Sequence, residues 1–165
     1  MDRQSRIFFI MGVSGSGKST IGKSLAGALS LPFFDGDDFH PESNITKMSG
    51  GIPLDDQDRK PWLETLNELG KRHSKTGAVI ACSALKKNYR DILEAGITPR
   101  PIWVYLSGSL ETIQERSQKR KGHFMPLSLL KSQFDTLEAP EGAIEVGITQ
   151  TAEEILEEIL SNLGT

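Results

Sequence analysis

Ile7-Phe8-Phe9-Ile10-Met11-Gly12-Val13-Ser14-Gly15-Ser16-Gly17-Lys18-Ser19-Thr20 is the stretch on which the fold turns. Its first five residues, β-branched, aromatic and apolar, read as a buried strand. Gly12 to Ser19 then match G-x-x-x-x-G-K-S/T. Beyond the motif, Ile21, Leu25 and Leu29 recur at helical spacing. A strand that turns through glycines into a helix aims several backbone N–H groups, and the positive end of the helix dipole, at one point where phosphates are held. In that geometry Lys18 reaches the β- and γ-phosphates and the Ser19 hydroxyl reaches Mg²⁺. Gly12, Val13, Ser14, Gly15, Ser16, Gly17, Lys18, Ser19 and Thr20 are therefore the expected cradle of a nucleoside triphosphate.

Working outward, four more apolar segments follow: Pro32 to Phe34 running into Asp35, Ala78 to Cys82, Ile102 to Leu106, and Ala143 to Val146. Helical patterns alternate with them. Asp55 caps a pattern in which Trp62, Leu66 and Leu69 share a face, ending near Gly77; another covers Lys86 to Glu94 and stops at Gly96. Ser109 caps a helix toward Arg120, Leu127, Leu130, Phe134 and Leu137 mark one after Pro126, and Thr151 with Glu154 forms a capping box before Ile155, Ile159 and Leu163. Strands alternating with helices predict an α/β, three-layer P-loop NTPase-type fold with a five-stranded parallel sheet.

The 165 residues fit one domain, and 25% charged against 37% hydrophobic residues excludes a disordered chain. A net charge of −3 speaks against nucleic-acid binding by counterion release. Neither a membrane-length apolar run nor a signal-type apolar region is seen, so no membrane partner and a cytoplasmic address are expected. The single Cys82 lies in an apolar run and reads as a buried hydrophobe.

A P-loop site needs a carboxylate near the metal, often at a strand end. The third strand runs into Cys82-Ser83-Ala84 and the fourth into Ser107-Gly108, so the acids must come from Asp35-Gly36-Asp37-Asp38 after the second. Carboxyl ends of parallel strands line the ligand crevice. Residues two apart on extended chain point the same way, so Asp35 and Asp37 are expected to share one site. Asp35 takes the metal side, often through water, and Asp37 takes the acceptor hydroxyl as base or orienter; the alternative is that Asp37 and Asp38 cap the next helix.

No N-K-x-D guanine motif is present. A helix from Pro41 would put His40, Asn44 and Lys47 on one side at i, i+4 and i+7, either to meet a hydroxyl-rich anionic molecule or as a solvated face. Here longer blocks become specific. Asp35-Gly36-Asp37-Asp38-Phe39-His40, Asn44-x-x-Lys47-Met48-x-x-Gly51-x-Pro53-Leu54-x-Asp56-x-Asp58-Arg59-x-Pro61-Trp62-Leu63, Cys82-Ser83-Ala84-Leu85-Lys86-x-x-Tyr89-Arg90-Asp91, Gly122-His123-Phe124-Met125 and Leu129-Leu130-x-Ser132-Gln133-Phe134-x-Thr136-Leu137-Glu138 together resemble the small gluconokinases over nearly the whole chain.

The resemblance implies a fold similar to the nucleoside monophosphate and shikimate kinases, a mobile lid at roughly 117–137, and the reaction ATP + D-gluconate → ADP + 6-phosphogluconate with Mg²⁺. Arg59 then becomes a carboxylate or hydroxyl ligand, the alternative being an i, i+4 pair with Asp55. Lys86, at the crevice end of the third strand, reaches substrate or phosphate, or is a surface lysine. His123 and Gln133 supply hydrogen bonds in the lid, Gln133 alternatively being structural. Arg116 and Arg120 either close over the nucleotide or form a solvated helix end; an arginine on the transferring phosphoryl is worth several kcal/mol, an exposed helix-end cation under about one. Lys18, Asp37 and Arg120 make up the expected catalytic set. The family pattern has an acid where this chain carries Gly147-Ile148-Thr149. Related kinases are often dimers, so a homodimer is an expectation. A kinase of another small acid, such as shikimate, and a non-catalytic nucleotide-binding regulator remain the alternatives.

Overall fold

The computed structural model describes residues 6–119 and 127–164. β1 (Ile7–Met11) is buried along its whole length. It lies between β3 (Ala78–Ala81) and β4 (Ile102–Ser107), with β2 (Phe33–Asp35) and β5 (Ile144–Gly147) at the edges, in the order β2-β3-β1-β4-β5. Every pairing is parallel. Strands covered on both faces carry no polar alternation, which is why β1, β3 and β4 read as unbroken apolar runs.

Alternation along β1 divides the core in two. Phe8 and Ile10 join Val79, Val104, Leu106 and Val146 beneath α1 (Lys18–Leu29) and α7 (Ala152–Asn162), through Ile21, Leu25, Ile155 and Ile159. Ile7, Phe9 and Met11 join Ile80 and Trp103 beneath α3 (Asp56–Arg72) and α4 (Lys87–Glu94), through Trp62, Leu66, Leu69 and Leu93. Phe9 stacks on Trp103 at 4.6 Å between ring centres. Three layers result, as the pattern predicts.

Several boundaries move by a residue or more, for local reasons. β2 begins at Phe33 because Pro32 has no N–H for the ladder, although its carbonyl still accepts from Val79 N at 2.9 Å. β5 starts at Ile144. α3 stops at Arg72, well before Gly77, where His73 N–H closes the last turn onto Gly70 and Leu69 carbonyls. At its start Asp55 and Asp58 form a reciprocal capping box, and Thr151 and Glu154 do the same for α7. Ser109 Oγ accepts from Thr112 N ahead of α5 (Leu110–Lys119). α6 (Leu127–Thr136) rests on the first core through Leu130.

One buried polar side chain locks two helices together. Asn67 on α3 donates from Nδ2 to the carbonyls of Leu93 and Ala95 at 2.8 and 2.9 Å, satisfying the end of α4. Among the described residues no helix is long and apolar enough to cross a membrane.

Candidate active site

The loop from Gly12 to Gly17 joins β1 to α1 at the carboxyl edge of the sheet. Gly17 caps α1 at φ 96°, a left-handed conformation that glycine adopts without a steric penalty. It leaves the first N–H groups of α1 unbonded within the helix, the geometry that receives an anion. Lys18 Nζ folds along the loop and donates to the Gly12 and Val13 carbonyls at 3.1 Å each.

Ser19 Oγ donates to Asp35 Oδ2 at 2.8 Å. A hydroxyl and a carboxylate oxygen this close form a hard-oxygen pair suited to Mg²⁺, which keeps several waters and shares its other positions with phosphates. Among the described residues no group of three or more His, Cys, Asp or Glu side chains could hold a metal alone. Ser19 and Asp35 fit an ion whose remaining positions are filled by water and phosphate oxygens.

The neighbouring acid comes close by a different route from strand alternation. β2 ends at Asp35, and Gly36–Phe39 form a 3₁₀ turn capped by Asp35 itself, whose Oδ1 accepts from Asp37 N at 3.0 Å. A Cβ on Gly36 would stand 2.5 Å from the Ala81 carbonyl, so only glycine lets this turn lie against β3. Nor do Asp37 and Asp38 cap the following helix, α2 (Glu42–Ser49), whose N-cap is Pro41. The Asp37 side chain reaches solvent yet is crowded by surrounding atoms. That desolvation, then the Asp35 charge, raises its carboxyl above the ordinary aspartate value, while Lys18 and His40 pull it down.

His40 stacks on Trp62 at 4.0 Å, and Trp62 Nε1 donates to the Gly36 carbonyl at 2.8 Å. Asn44 Nδ2 lies 3.2 Å from His40 Nδ1 and donates to the Asp58 carbonyl at 3.0 Å. The carbonyl fixes the amide's orientation, so Nδ1 must accept and Nε2 carries the His40 proton. Burial lowers the imidazole pKa, Asp37 opposing and Arg59 assisting. Asn44 is 1% exposed, and Lys47 Nζ meets both Asp58 oxygens at 2.8 Å. His40, Asn44 and Lys47 share a side as the spacing predicts. Buried Asn44 and half-exposed Lys47 form the seam between α2 and α3.

Across from α2, Arg59 Nη1 donates to Tyr89 Oη at 3.1 Å and approaches Asp56, not Asp55, at 3.9 Å. Asp55 is occupied in the capping box. Lys86 Nζ reaches the same Asp56 oxygen at 3.5 Å, and Tyr89 Oη donates to it at 2.5 Å. Arg59, Trp62 and Tyr89 wall one side of a cavity of about 110 Å³ floored by Ser83, Ala84 and Leu85 and closed by Ser132, Gln133 and Thr136 of α6. Ala84 sits at φ 48°, a conformation uncommon for a residue with a Cβ. Buried Arg90 steadies this floor, donating to the Ala84 and Glu138 carbonyls at 2.7 and 2.8 Å.

Gln133 Oε1 accepts from the Ser14 backbone N–H at 2.7 Å, tying α6 to the phosphate loop. Arg116 donates from Nη2 to the Ile148 carbonyl, just past β5, and its Nη1 lies 3.9 Å from where a Gly17 Cβ would stand. It thus borders both the loop and the segment Gly147-Ile148-Thr149. Arg120 and His123 lie outside the described residues. Asp56 and Tyr89 carried no role from sequence reasoning. Two signals are in the sequence: both stand in the blocks that resemble the gluconokinases, and each lies three residues from a cation, Arg59 or Lys86, on the same helix face or its cap.

The shikimate kinase family model matches residues 14–162. The thermosensitive gluconokinase of Escherichia coli (strain K12) is 55% identical over 137 residues, 81% of this chain and 72% of that protein. A probable gluconokinase of Mus musculus is 46% identical, covering 95% of this chain and 97% of its own. A crystal structure of a gluconokinase from Sinorhizobium meliloti 1021 superposes with a TM-score of 0.91 at 44% identity, over 99% of this chain and 94% of that one. Shikimate kinase from Aquifex aeolicus vf5, at 22% identity and a TM-score of 0.66, shares the fold. With close likeness along almost its full length, and with the phosphate loop, the paired acids and the cavity beyond β3 on one sheet edge, the chain belongs to the gluconokinase family of P-loop small-molecule kinases.

Proposed function

We propose that this chain phosphorylates D-gluconate at its 6-hydroxyl at the expense of ATP. The observation that carries the reading is the position of Asp37. It is near enough to Lys18 of the phosphate loop and to His40 for both charges to act on it, while Arg59, on the wall of the neighbouring cavity, acts on the same His40 and shares Asp56 with Lys86. A molecule with a primary hydroxyl at one end and a carboxylate at the other suits that span.

The backbone N–H groups of Gly12 to Thr20 and the Lys18 ammonium would hold the phosphates, with Ser19 and Asp35 on Mg²⁺. When bound, Mg²⁺-ATP supplies the phosphoryl group and part of the charge neutralisation. Asp37 aligns the acceptor hydroxyl and takes its proton as the oxygen is phosphorylated. Its raised proton affinity suits that task and limits how far its charge is already satisfied. Arg59 grips the carboxylate, Lys86 adds charge, and His40 offers its Nε2–H to a sugar hydroxyl. Asn44 and Lys47 support that wall from the α2–α3 seam, and Gln133 supports the loop. Arg116 and Arg120 act on the nucleotide, and His123 with the rest of a lid at roughly 117–137 excludes water, which competes with the hydroxyl. The chain works as one domain in the cytoplasm, as a homodimer if it follows related kinases.

The match to the shikimate kinase family favours one second reading, transfer to another small acid. Purified protein with Mg²⁺-ATP and a panel of D-gluconate, other sugar acids, polyols and shikimate, read as ADP release, decides between them. D-Gluconate is expected to give the highest kcat/KM. A higher value for shikimate overturns the acceptor. If ATP binds but no member of the panel raises ADP release, the kinase reading is overturned in favour of a regulator.

A further inference from the structure

Asp56 lies against Arg59 and Tyr89 of the cavity wall, with three donors converging on it. Its Oδ1 accepts from Tyr89 Oη at 2.5 Å and lies 3.5 Å from Lys86 Nζ and 3.9 Å from Arg59 Nη1. Both cations also flank the Tyr89 ring, each 5.5 Å from its centre, and Arg59 donates to the Tyr89 hydroxyl. Three donors on one oxygen of a carboxylate make a polar cluster that calls for a reason beyond helix structure. Asp56 has little structural work to do: the cap of α3 is made by Asp55 and Asp58, and the Asp56 side chain is 54% exposed.

We propose that Arg59, Lys86 and Tyr89 form a carboxylate-binding site in which the chain's own Asp56 stands in for the acceptor's carboxylate until the acceptor displaces it. This rests on the acceptor reading above, since it takes Arg59 and Lys86 to be the acid-recognising wall. It adds Tyr89 as a third donor and makes Asp56 an internal competitor. Three consequences follow from charge alone. With Asp56 in place the two cations are held close together and pointed at one spot, so the site is formed before a ligand enters. A neutral polyol gains little by entering, because its hydroxyls compete poorly with a carboxylate for these donors. An anionic acceptor can exchange for Asp56, at the expense of the contacts Asp56 gives up and of repulsion between the two carboxylates. Asp56 therefore trades affinity for selection of acids over neutral sugars.

The test compares Asp56→Asn, Asp56→Glu and Arg59→Met in steady-state kinetics with saturating Mg²⁺-ATP, using D-gluconate and its neutral counterpart D-glucitol. Asp56→Asn keeps the shape and removes the competing charge. The expected result is a KM for D-gluconate lowered about two- to fivefold, the range of an exposed ion pair, with a smaller change in kcat. Asp56→Glu retains a competing carboxylate and is expected to stay near the parent KM, which a purely structural defect at this position would not restore. A KM that rises or is unchanged in Asp56→Asn overturns the proposal, because Asp56 would then align the donors or do nothing. Arg59→Met tests the underlying reading separately. It is expected to erase most of the preference for D-gluconate over D-glucitol; if that preference survives, the carboxylate is bound elsewhere, whatever Asp56 does. Thermal melts of all three variants keep a folding defect from being read as a binding effect.

Discussion

Ser14 and Gln133 are joined across 119 positions by a 2.7 Å hydrogen bond from the backbone N–H of the first to the side-chain oxygen of the second. An amide of the phosphate loop is thereby satisfied by a neutral acceptor supplied from α6. Replacing that acceptor by a charged one should set it against the phosphates. Gln133→Glu is expected to weaken ATP binding at least about fivefold, since a carboxylate holds an N–H roughly twice as strongly as an amide oxygen and repels phosphate. Gln133→Leu is expected to weaken it much less. Calorimetric titration with Mg²⁺-ATP checks both.

Asp37 offers a test in which activity and stability move in opposite directions. Asp37→Asn is expected to lower kcat by about a hundredfold or more while ATP affinity is retained. Because desolvation and Asp35 raise the Asp37 pKa in the fold, the native state holds its proton more tightly than the unfolded chain does. Its contribution to stability is therefore most favourable below the unfolded-chain value and declines as pH climbs through the window up to the raised folded value. Thermal melts at neutral pH should show Asp37→Asn as stable as the parent or more so.

The same raised pKa predicts an acid limb. Turnover with D-gluconate should fall as pH drops through the Asp37 value, which lies above the ordinary aspartate value, and Asp37→Asn should lack that limb. A pH–kcat/KM profile of the two proteins shows it directly.

Cys82 should be chemically silent in the folded protein. Burial pushes its thiol up to about 12, and it lies among the side chains of the second core. A thiol reagent at neutral pH is expected to label it only at the rate of unfolding, and rapidly in denaturant.

The α2–α3 seam can be opened without touching the phosphate loop. Asn44→Ala removes the side-chain donor to the Asp58 carbonyl and leaves His40 Nδ1 without its partner, for about 1–3 kcal/mol of stability. Its effect on KM for D-gluconate should exceed that of Lys47→Met, because only the first releases His40. Denaturation curves and kinetics separate the two.

The nucleotide half of the site could be read from the chain because a single run of residues, Ile7 to Thr20, contains the strand, the loop and the helix start. The acceptor half could be read only in part. Spacing put His40, Asn44 and Lys47 on one side of a helix but could not say that α3 would cover that side. Asp35 and Asp37 do come together, through a capped 3₁₀ turn that depends on Gly36 lying against β3, not through alternation along a strand. The cluster of Asp56, Tyr89 and Lys86 joins residues 30 or more positions apart, and only the packing of α3 on α4 makes it.

That packing is fixed by Asn67, whose amide is bonded to both carbonyls at the close of α4. The helix that carries Asp56 and Arg59 and the helix that follows Lys86 and carries Tyr89 are thus pinned as one body, seated on the same sheet that positions Asp35 at its edge. On the proposed reading, the span between the cationic wall and Asp37 is then set by the packing of the core, and the length of an acceptor becomes something the fold itself measures.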